Sequence, residues 1–439
     1  MQTSIKQVTP VEYDLEINAG PEDLAEDFQA ELRSQRTRTN LKGFRRGKVP
    51  TSLVKKLYGK AIAYGLAERS IQQTYESEVM QPGQHKVLGQ PKITTLEYEM
   101  DGDLHAVIRF GVRPEFEVVY PKRVSVSKLT HQVADDEVDH DIEHLRDSEA
   151  DLVPVDDKVG DDDFVLVDLQ KLDPETGTPL IGEKREDVTF YLGDKRLREE
   201  FRKPLLGAAP GGTVRITIPD DEGGDPVAYE LTVKEIKRKD LPELDDEFVK
   251  TATKGQAETV DQLREQVTKR LQNSWDQQSK ELLETKVVET IVEANQIDVP
   301  ESVIEMYLDS FVEEVRKNSG DSLPEGFDED AFRESRKDEA IYQARWMLIK
   351  DKIVGDEDLA VGDEDREKFF EKSAAGGEIS TDLLRQYYGS INGLMEQLDQ
   401  RLMTEKVIDF LLSKFKVVEK DRKAFEKEIE KAAKKNKKK

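Results

Sequence analysis

Two changes of hydrophobic period along 439 residues predict an α+β multidomain chain: an α+β N-terminal domain, a small β-rich domain inserted after it, and an extended all-helical C-terminal domain. Length is the third observation, because one hydrophobic core seldom organises so many residues and two to four domains are expected. Apolar and charged residues each make up 36% of the chain. That balance favours thin cores and a large wetted surface over a dense enzyme.

The N-terminal domain is assigned to residues 1–117. Val11, Tyr13, Leu15 and Ile17 alternate within Lys6 to Asn18 and predict a half-buried strand. After Pro21, Leu24, Phe28 and Leu32 recur every fourth residue and start a helix. A second helix should run from Thr51 through Leu53, Leu57, Ile62, Leu66 and Ile71 to about Met80. Strand patterns at Ile93 to Tyr98 and Leu104 to Val112 close the domain.

Residues 118–150 read as a connector belonging to the helical domain, with Val138, Ile142 and Leu145 on one face of a charged helix. From 151 to 240 short strands are broken by Gly and Pro: Phe164 to Leu172, Val188 to Leu192, Val214 to Ile218 and Tyr229 to Ile236, with one helix near Leu197 to Leu206. Residues 241–431 are helical, carrying Val260, Leu263, Val267 and Leu271, then Val287, Val288, Ile291 and Val292. Later apolar faces hold Val303, Met306, Tyr307 and Phe311; Ile341, Trp346, Leu348 and Ile349; and Leu394, Leu398, Leu402, Val407 and Leu411. Residues 432–439, ending Lys434-Lys435-Asn436-Lys437-Lys438-Lys439, are expected to be a disordered basic tail.

Cys is absent, which removes disulfides, thiolate nucleophiles and thiolate metal sites. MQTSIKQVTP lacks a basic segment leading into an apolar one, and no window approaches eighteen apolar residues, so a cytoplasmic protein without membrane contact is expected. No Walker A loop, dinucleotide glycine fingerprint or G-x-S-x-G elbow occurs, and no cofactor is expected.

The sharpest local feature is electrostatic. From Arg33 to Lys60 there are ten Lys or Arg and no Asp or Glu, in a chain of net charge −26. A segregated basic segment on so acidic a molecule reads as a docking site for a polyanion. At its centre Gly43-Phe44-Arg45-Arg46-Gly47-Lys48-Val49-Pro50 places cations and an aromatic between two glycines and a proline, hence on a loop joining the two helices. The bland alternative is a solvated basic loop whose Phe44 packs inward.

This octapeptide resembles the GFRxGKxP signature of the trigger factor family, bacterial chaperones of the ribosomal exit tunnel. The resemblance continues through LPELDDEF at Leu241 to Phe248 and DVPESVIE at Asp298 to Glu305. It implies a ribosome-binding N-terminal domain, an inserted peptidyl-prolyl isomerase domain of the FK506-binding type, and a split helical domain that binds unfolded nascent polypeptides without ATP. The implied ribosome contacts are Gly43, Phe44, Arg45, Arg46, Gly47, Lys48 and Pro50, facing an exit-tunnel ribosomal protein and ribosomal RNA. A weak homodimer is a possible state off the ribosome.

The implied isomerase pocket departs from the family pattern. Leu169 follows Asp168 where an aromatic is usual, Leu180 replaces a Phe, and FxFxLG becomes Val188-Thr189-Phe190-Tyr191-Leu192-Gly193. IPGF/W becomes Arg198-Glu199-Glu200-Phe201, and the loop Asp220 to Pro226 lacks the usual Tyr. Twisting an X–Pro bond over a barrier of about 18–20 kcal/mol needs a desolvating aromatic pocket. Phe201, Tyr229, Val188 and Leu180 are its candidates, although buried aromatics are more often core. The pocket reads as eroded, with weak or absent activity.

His140-Asp141-Ile142-Glu143-His144 matches H-x-x-E-H, which in some metalloproteases carries zinc. Five letters on an acidic connector are weak, so a solvated helix face is expected and no metal is assigned. Met306, Phe311, Met347, Met395 and Met403 are candidate client contacts, because Met adapts to many apolar partners; the alternative is helical core. Two rival readings are a protein that is chiefly a prolyl isomerase and a SurA-like holding chaperone without ribosome binding.

Overall fold

The computed structural model describes the chain except for Arg46 and residues 82–84, 99–101, 122–123, 174–175, 220–225, 376–378 and 437–439. Two compact units form, one from residues 1–129 with 280–439 and one from 130–279. In chain order the elements are β1 (Gln2–Thr9), β2 (Glu12–Ala19), α1 (Pro21–Arg38), α2 (Thr51–Glu78), β3 (Val87–Tyr98), β4 (Leu104–Val112) and β5 (Ser125–Thr130). There follow α3 (Asp135–Ser148), β6 (Asp151–Pro154), β7 (Phe164–Leu172), β8 (Pro179–Tyr191), α4 (Glu199–Leu205), β9 (Thr213–Ile218), β10 (Val227–Asp240) and α5 (Asp246–Ala252). The last stretch holds α6 (Val260–Ala294), α7 (Glu301–Asn318), α8 (Glu329–Asp356), α9 (Asp363–Ala374), α10 (Thr381–Ser390), α11 (Leu394–Lys414), β11 (Lys416–Asp421) and α12 (Arg422–Asn436).

In the first unit an antiparallel sheet runs β1-β2-β4-β3. The single strand expected over Lys6 to Asn18 is instead a hairpin: Thr9 pairs with Glu12, leaving Pro10 and Val11 at the turn. Proline fixes φ and has no N–H to give a ladder, so the chain reverses there. Leu15, Ile17, Leu104, Ala106, Ile108 and Phe110, every second residue of β2 and β4, bury against Ala67, Ile71 and Tyr75 of α2.

The same sheet seats α7. Gly111 of β4 is so close to the start of α7 that an added Cβ would lie 2.4 Å from Pro300 Cβ. Ser302 Oγ donates to the Leu88 carbonyl at 2.7 Å. Further along, Val126 of β5 packs with Leu283, Val287 and Ile291 of α6, Ile349 and Ile353 of α8, and Val407 and Leu411 of α11. Smaller cores join α7 to α8 through Ile304, Leu308, Phe311 and Ala340, and α9 to α11 through Phe370, Leu398 and Leu402. The expected disordered tail is helical as far as Asn436, and residues 437–439 lie outside the described residues. Asp421 caps Ala424 N–H at 2.8 Å and Arg422 pairs with Glu426, so α12 is nucleated and propagates at low cost into the lysines.

In the second unit the sheet runs β6-β10-β7-β8, with β9 on β10. Val165, Val167, Leu169, Leu192, Leu205, Leu231 and Val233 form its core. Asp163, whose side chain is only 3% exposed, receives both Nε and Nη2 of Arg238 at 2.8 Å and the Gly160 N–H at 2.7 Å. The unit extends beyond the strands, because Val138 and Ile142 of α3 bury against Phe248 and Val249 of α5 and Leu263 and Val267 of α6. Lys239 on β10 reaches Asp147 of α3 at 2.7 Å and lies 4.7 Å from the Tyr191 ring centre, tying sheet to helix.

Candidate functional site

Local chemistry shapes the basic loop between α1 and α2. The Phe44 N–H donates to the Leu41 carbonyl at 3.0 Å and the Lys48 N–H to the Arg45 carbonyl at 2.9 Å, giving two successive turns. Gly43 and Gly47 take the third position of each, with φ of +96° and +77°, the left-handed region that such turns reserve for glycine. Phe44 stands between the turns and is 41% exposed. The inward alternative for its ring is therefore not what the fold adopts.

The loop is held from below. Val49 is fully buried with Phe28, Leu32 and Val54, and Leu41 packs against the same cluster. Arg36 Nε donates to the Val49 carbonyl at 2.8 Å. Pro50 caps α2, its carbonyl accepting from Leu53 and Val54 at 3.0 and 3.1 Å. Lys42, Arg45 and Lys48 are exposed and make no ion pair among the described residues. Arg46 lies outside them. Arg36 and Arg38 close the last turn of α1, where the helix dipole favours cations. The arrangement offers a rigid base, one exposed aromatic face and free cations, which together suit stacking on a base and contact with phosphates.

The implied isomerase residues sit mostly against the small core. Phe201 of α4 stacks on Phe190 of β8 with ring centres 4.9 Å apart, and both belong with Val188 and Tyr229 to the half-buried margin of that core. Leu180 is half-buried, its carbonyl accepting from Gln170 at 2.8 Å, while the adjacent Ile181 is wholly exposed. Asp168 is engaged by Lys184 at 3.0 Å and by the Asp187 N–H at 3.2 Å, and the Lys184 hydrogen bond holds its carboxyl below the usual carboxylate range.

Among the candidate client residues, Met306 is exposed, and Met347, Met395 and Met403 are half-buried. Phe311 is a correction: it is buried between α7 and α8 with the Arg336 guanidinium 5.0 Å from its ring centre, so it serves the core. Met306 borders a cleft of about 680 Å³ between β3, β4 and α7, lined also by Glu12, Lys92, Arg109, Glu301 and Glu305. His140 and His144 face each other on α3, and Glu143 pairs with Arg146 at 2.7 Å. Among the described residues no group of three or more His, Asp or Glu could hold a metal ion.

Residues 1–145 match the model of the bacterial trigger factor protein, and residues 259–413 match the model of its C-terminus. A curated trigger factor of Salinibacter ruber is 39% identical over 443 aligned residues, covering 97% of this chain and 96% of that one. The chain belongs to the trigger factor family. Trigger factor of Chloroherpeton thalassium is 30% identical over 95% of this chain and 97% of its own. A solved structure of the trigger factor chaperone, titled for promiscuous substrate recognition in folding and assembly, covers 94% of this chain and 99% of that one at 23% identity and a TM-score of 0.49. The two matched segments lie on a mixed α and β multidomain chain whose C-terminal region is largely helical. No described helix is long and apolar enough to cross a membrane.

One apolar surface escaped the sequence reading. Leu383, Tyr387 and Ile391 follow one another at four-residue spacing along and just past α10 and are 55%, 56% and 43% exposed; no residue of α10 is buried. The spacing itself was visible in the sequence. It resembled any core-facing stripe, and only packing showed that nothing among the described residues covers it.

Proposed function

We propose that this chain is an ATP-independent, cytoplasmic ribosome-associated chaperone that docks through Gly43 to Pro50 and holds emerging polypeptides on its helical part. The observation that carries the reading is the anchored double turn with Phe44 and three cations outward. Loops that merely solvate charge have no need of a buried Val49, a side chain clamping its carbonyl and two left-handed glycines. Membership of the family supports the partner class, an exit-tunnel ribosomal protein with ribosomal RNA. Met306 at its cleft, Met347, Met395 and Met403, together with the Leu383–Tyr387–Ile391 stripe, are the client surfaces on this reading, scattered over a molecule whose net charge of −26 limits co-aggregation.

The inserted strands would form a domain of the FK506-binding type that serves chiefly as an additional client arm. The Phe190–Phe201 stack and the lost aromatics at Leu169, Leu180 and Val188 support weak isomerase activity. A weak homodimer off the ribosome remains part of the proposal, read from the family alone. The test of docking is cosedimentation with ribosomes of Phe44→Ala/Arg45→Ala/Arg46→Ala. The variant should leave the ribosome with its circular dichroism unchanged, and wild-type binding should weaken with salt as phosphate contacts require. Unchanged cosedimentation by the variant at physiological salt would sink the docking claim.

A further inference from the structure

The H-x-x-E-H match fails as a catalytic zinc site on two counts. Glu143 is tied to Arg146 at 2.7 Å, and no third ligand stands with the two histidines among the described residues. The histidine pair is nevertheless arranged for a different task. His140 and His144 are one turn apart on an exposed face of α3, with ring centres 4.4 Å apart and their Nε2 atoms 3.1 Å apart. If both nitrogens bind one ion at about 2.0–2.1 Å, that separation subtends about 100° at the metal. This lies between the right angle of a square-planar or octahedral ion and the wider tetrahedral angle.

We propose that His140 and His144 form a two-imidazole clamp for a borderline divalent transition ion, with water completing its coordination. The clamp rests on its imidazole geometry and not on the local field, because five of the seven carboxylates of α3 are engaged by basic side chains, among them Glu137 by His131 and Asp147 by Lys239. The nearest carboxylates are occupied elsewhere, Asp139 with Arg264, Asp141 with Arg270 and Glu143 with Arg146. They leave the imidazoles as the ligands. Two nitrogens and no oxygen cage select Cu²⁺ most strongly, with Ni²⁺ and Zn²⁺ weaker, and reject Mg²⁺ and Ca²⁺. The bound ion would bridge successive turns of α3, the helix that buries Val138 and Ile142 against α5 and α6, so metal should stabilise the second unit by mass action.

The experiment is calorimetric titration of the full-length, tag-free chain with CuCl₂, NiCl₂, ZnCl₂ and MgCl₂ in a non-coordinating buffer, alongside His140→Gln, His144→Gln and His105→Gln. Glutamine keeps an exposed helix position helical. His105, whose Nδ1 lies 2.8 Å from Asn18 Oδ1 on the N-terminal sheet, is the control. One site per chain is expected for Cu²⁺, Ni²⁺ and Zn²⁺, weakened at least about tenfold by either α3 substitution and unaltered by His105→Gln. Imidazole resonances in the wild-type chain give a reading independent of any variant's folding: Zn²⁺ should shift those of His140 and His144 and leave His85, His105 and His131 in place. Binding that survives both α3 substitutions, or Zn²⁺ shifts confined to the other three rings, overturns the proposal.

Discussion

Gly111→Ala and Gly65→Ala add the same methyl group to the same unit, and the structure gives them opposite signs. At Gly111 the new Cβ would stand 2.4 Å from Pro300 Cβ and 2.6 Å from Ser302 Oγ, whereas ordinary contact starts at 3.4 Å, so about 1 Å of room must be found. Pro300 cannot retreat cheaply, because it is buried and its carbonyl accepts the first N–H groups of α7, from Val303 and Ile304, at 3.0 and 3.2 Å. Overpacking of this kind costs about 1–3 kcal/mol. Losing the Ser302–Leu88 hydrogen bond adds about 1 kcal/mol, and the smaller unfolded-state entropy of Ala returns about 0.5–1 kcal/mol. The net expectation is destabilisation by about 2 kcal/mol. Gly65 is exposed in the middle of α2 with nothing within 4 Å of its would-be Cβ. Alanine there should stabilise by about 1 kcal/mol. In scanning calorimetry of the full chain, the transition of the unit holding both glycines should fall by roughly 4 °C for Gly111→Ala and rise by roughly 2 °C for Gly65→Ala. A Gly111→Ala chain as stable as wild type would refute the seating of α7 on the N-terminal sheet.

Three further outcomes follow from particular contacts. Asp163→Asn should destabilise the second unit by about 2–3 kcal/mol at neutral pH, a value below that of a fully buried pair because Arg238 is partly solvated. The Arg238 hydrogen bonds hold the Asp163 carboxyl below its usual range. Its contribution is therefore present above about pH 4 and lost as pH falls through the lowered folded value, so urea unfolding curves of wild type and variant should converge in acid. Catalysis of a proline-limited refolding phase by the full chain should be slight and little changed by Phe201→Ala; a rate typical of an intact FK506-binding domain would overturn the reading of Leu169, Leu180 and Val188. Leu383→Ser with Tyr387→Ser should lower suppression of client aggregation without loss of helix or of ribosome cosedimentation, and unchanged holding activity would remove α10 from the client surface.

Much of the fold was legible because it rests on local pattern. The alternation in β2 and β4 and the four-residue spacing in α1 placed Leu15, Leu24 and Phe28 correctly in cores. Pro10 turned an expected strand into a hairpin, and Lys416–Asp421, inside the stretch expected to be helical, is a strand because it pairs with Ser125–Thr130, a partner distant in sequence. The basic loop was legible for a different reason, since two glycines at the third positions of successive turns dictate the backbone whatever surrounds it.

What the sequence determined by itself, then, is the mixed α and β order of the chain, its largely helical C-terminal part and the basic octapeptide on a loop. Periodicity and turn chemistry are properties of neighbouring residues, and they survive without knowledge of the rest. Only tertiary structure decided which apolar stripes are covered. Phe311 and Leu383 both lie on amphipathic helices, but α8 packs on the first and nothing described packs on the second. It also decided that Phe44 faces outward above a buried Val49, that Gly111 marks the seat of α7, and that Asp163 finds Arg238 across the small sheet. Burial depends on partners distant in sequence, and a hydrophobic period states that a face wants covering without saying whether the fold covers it.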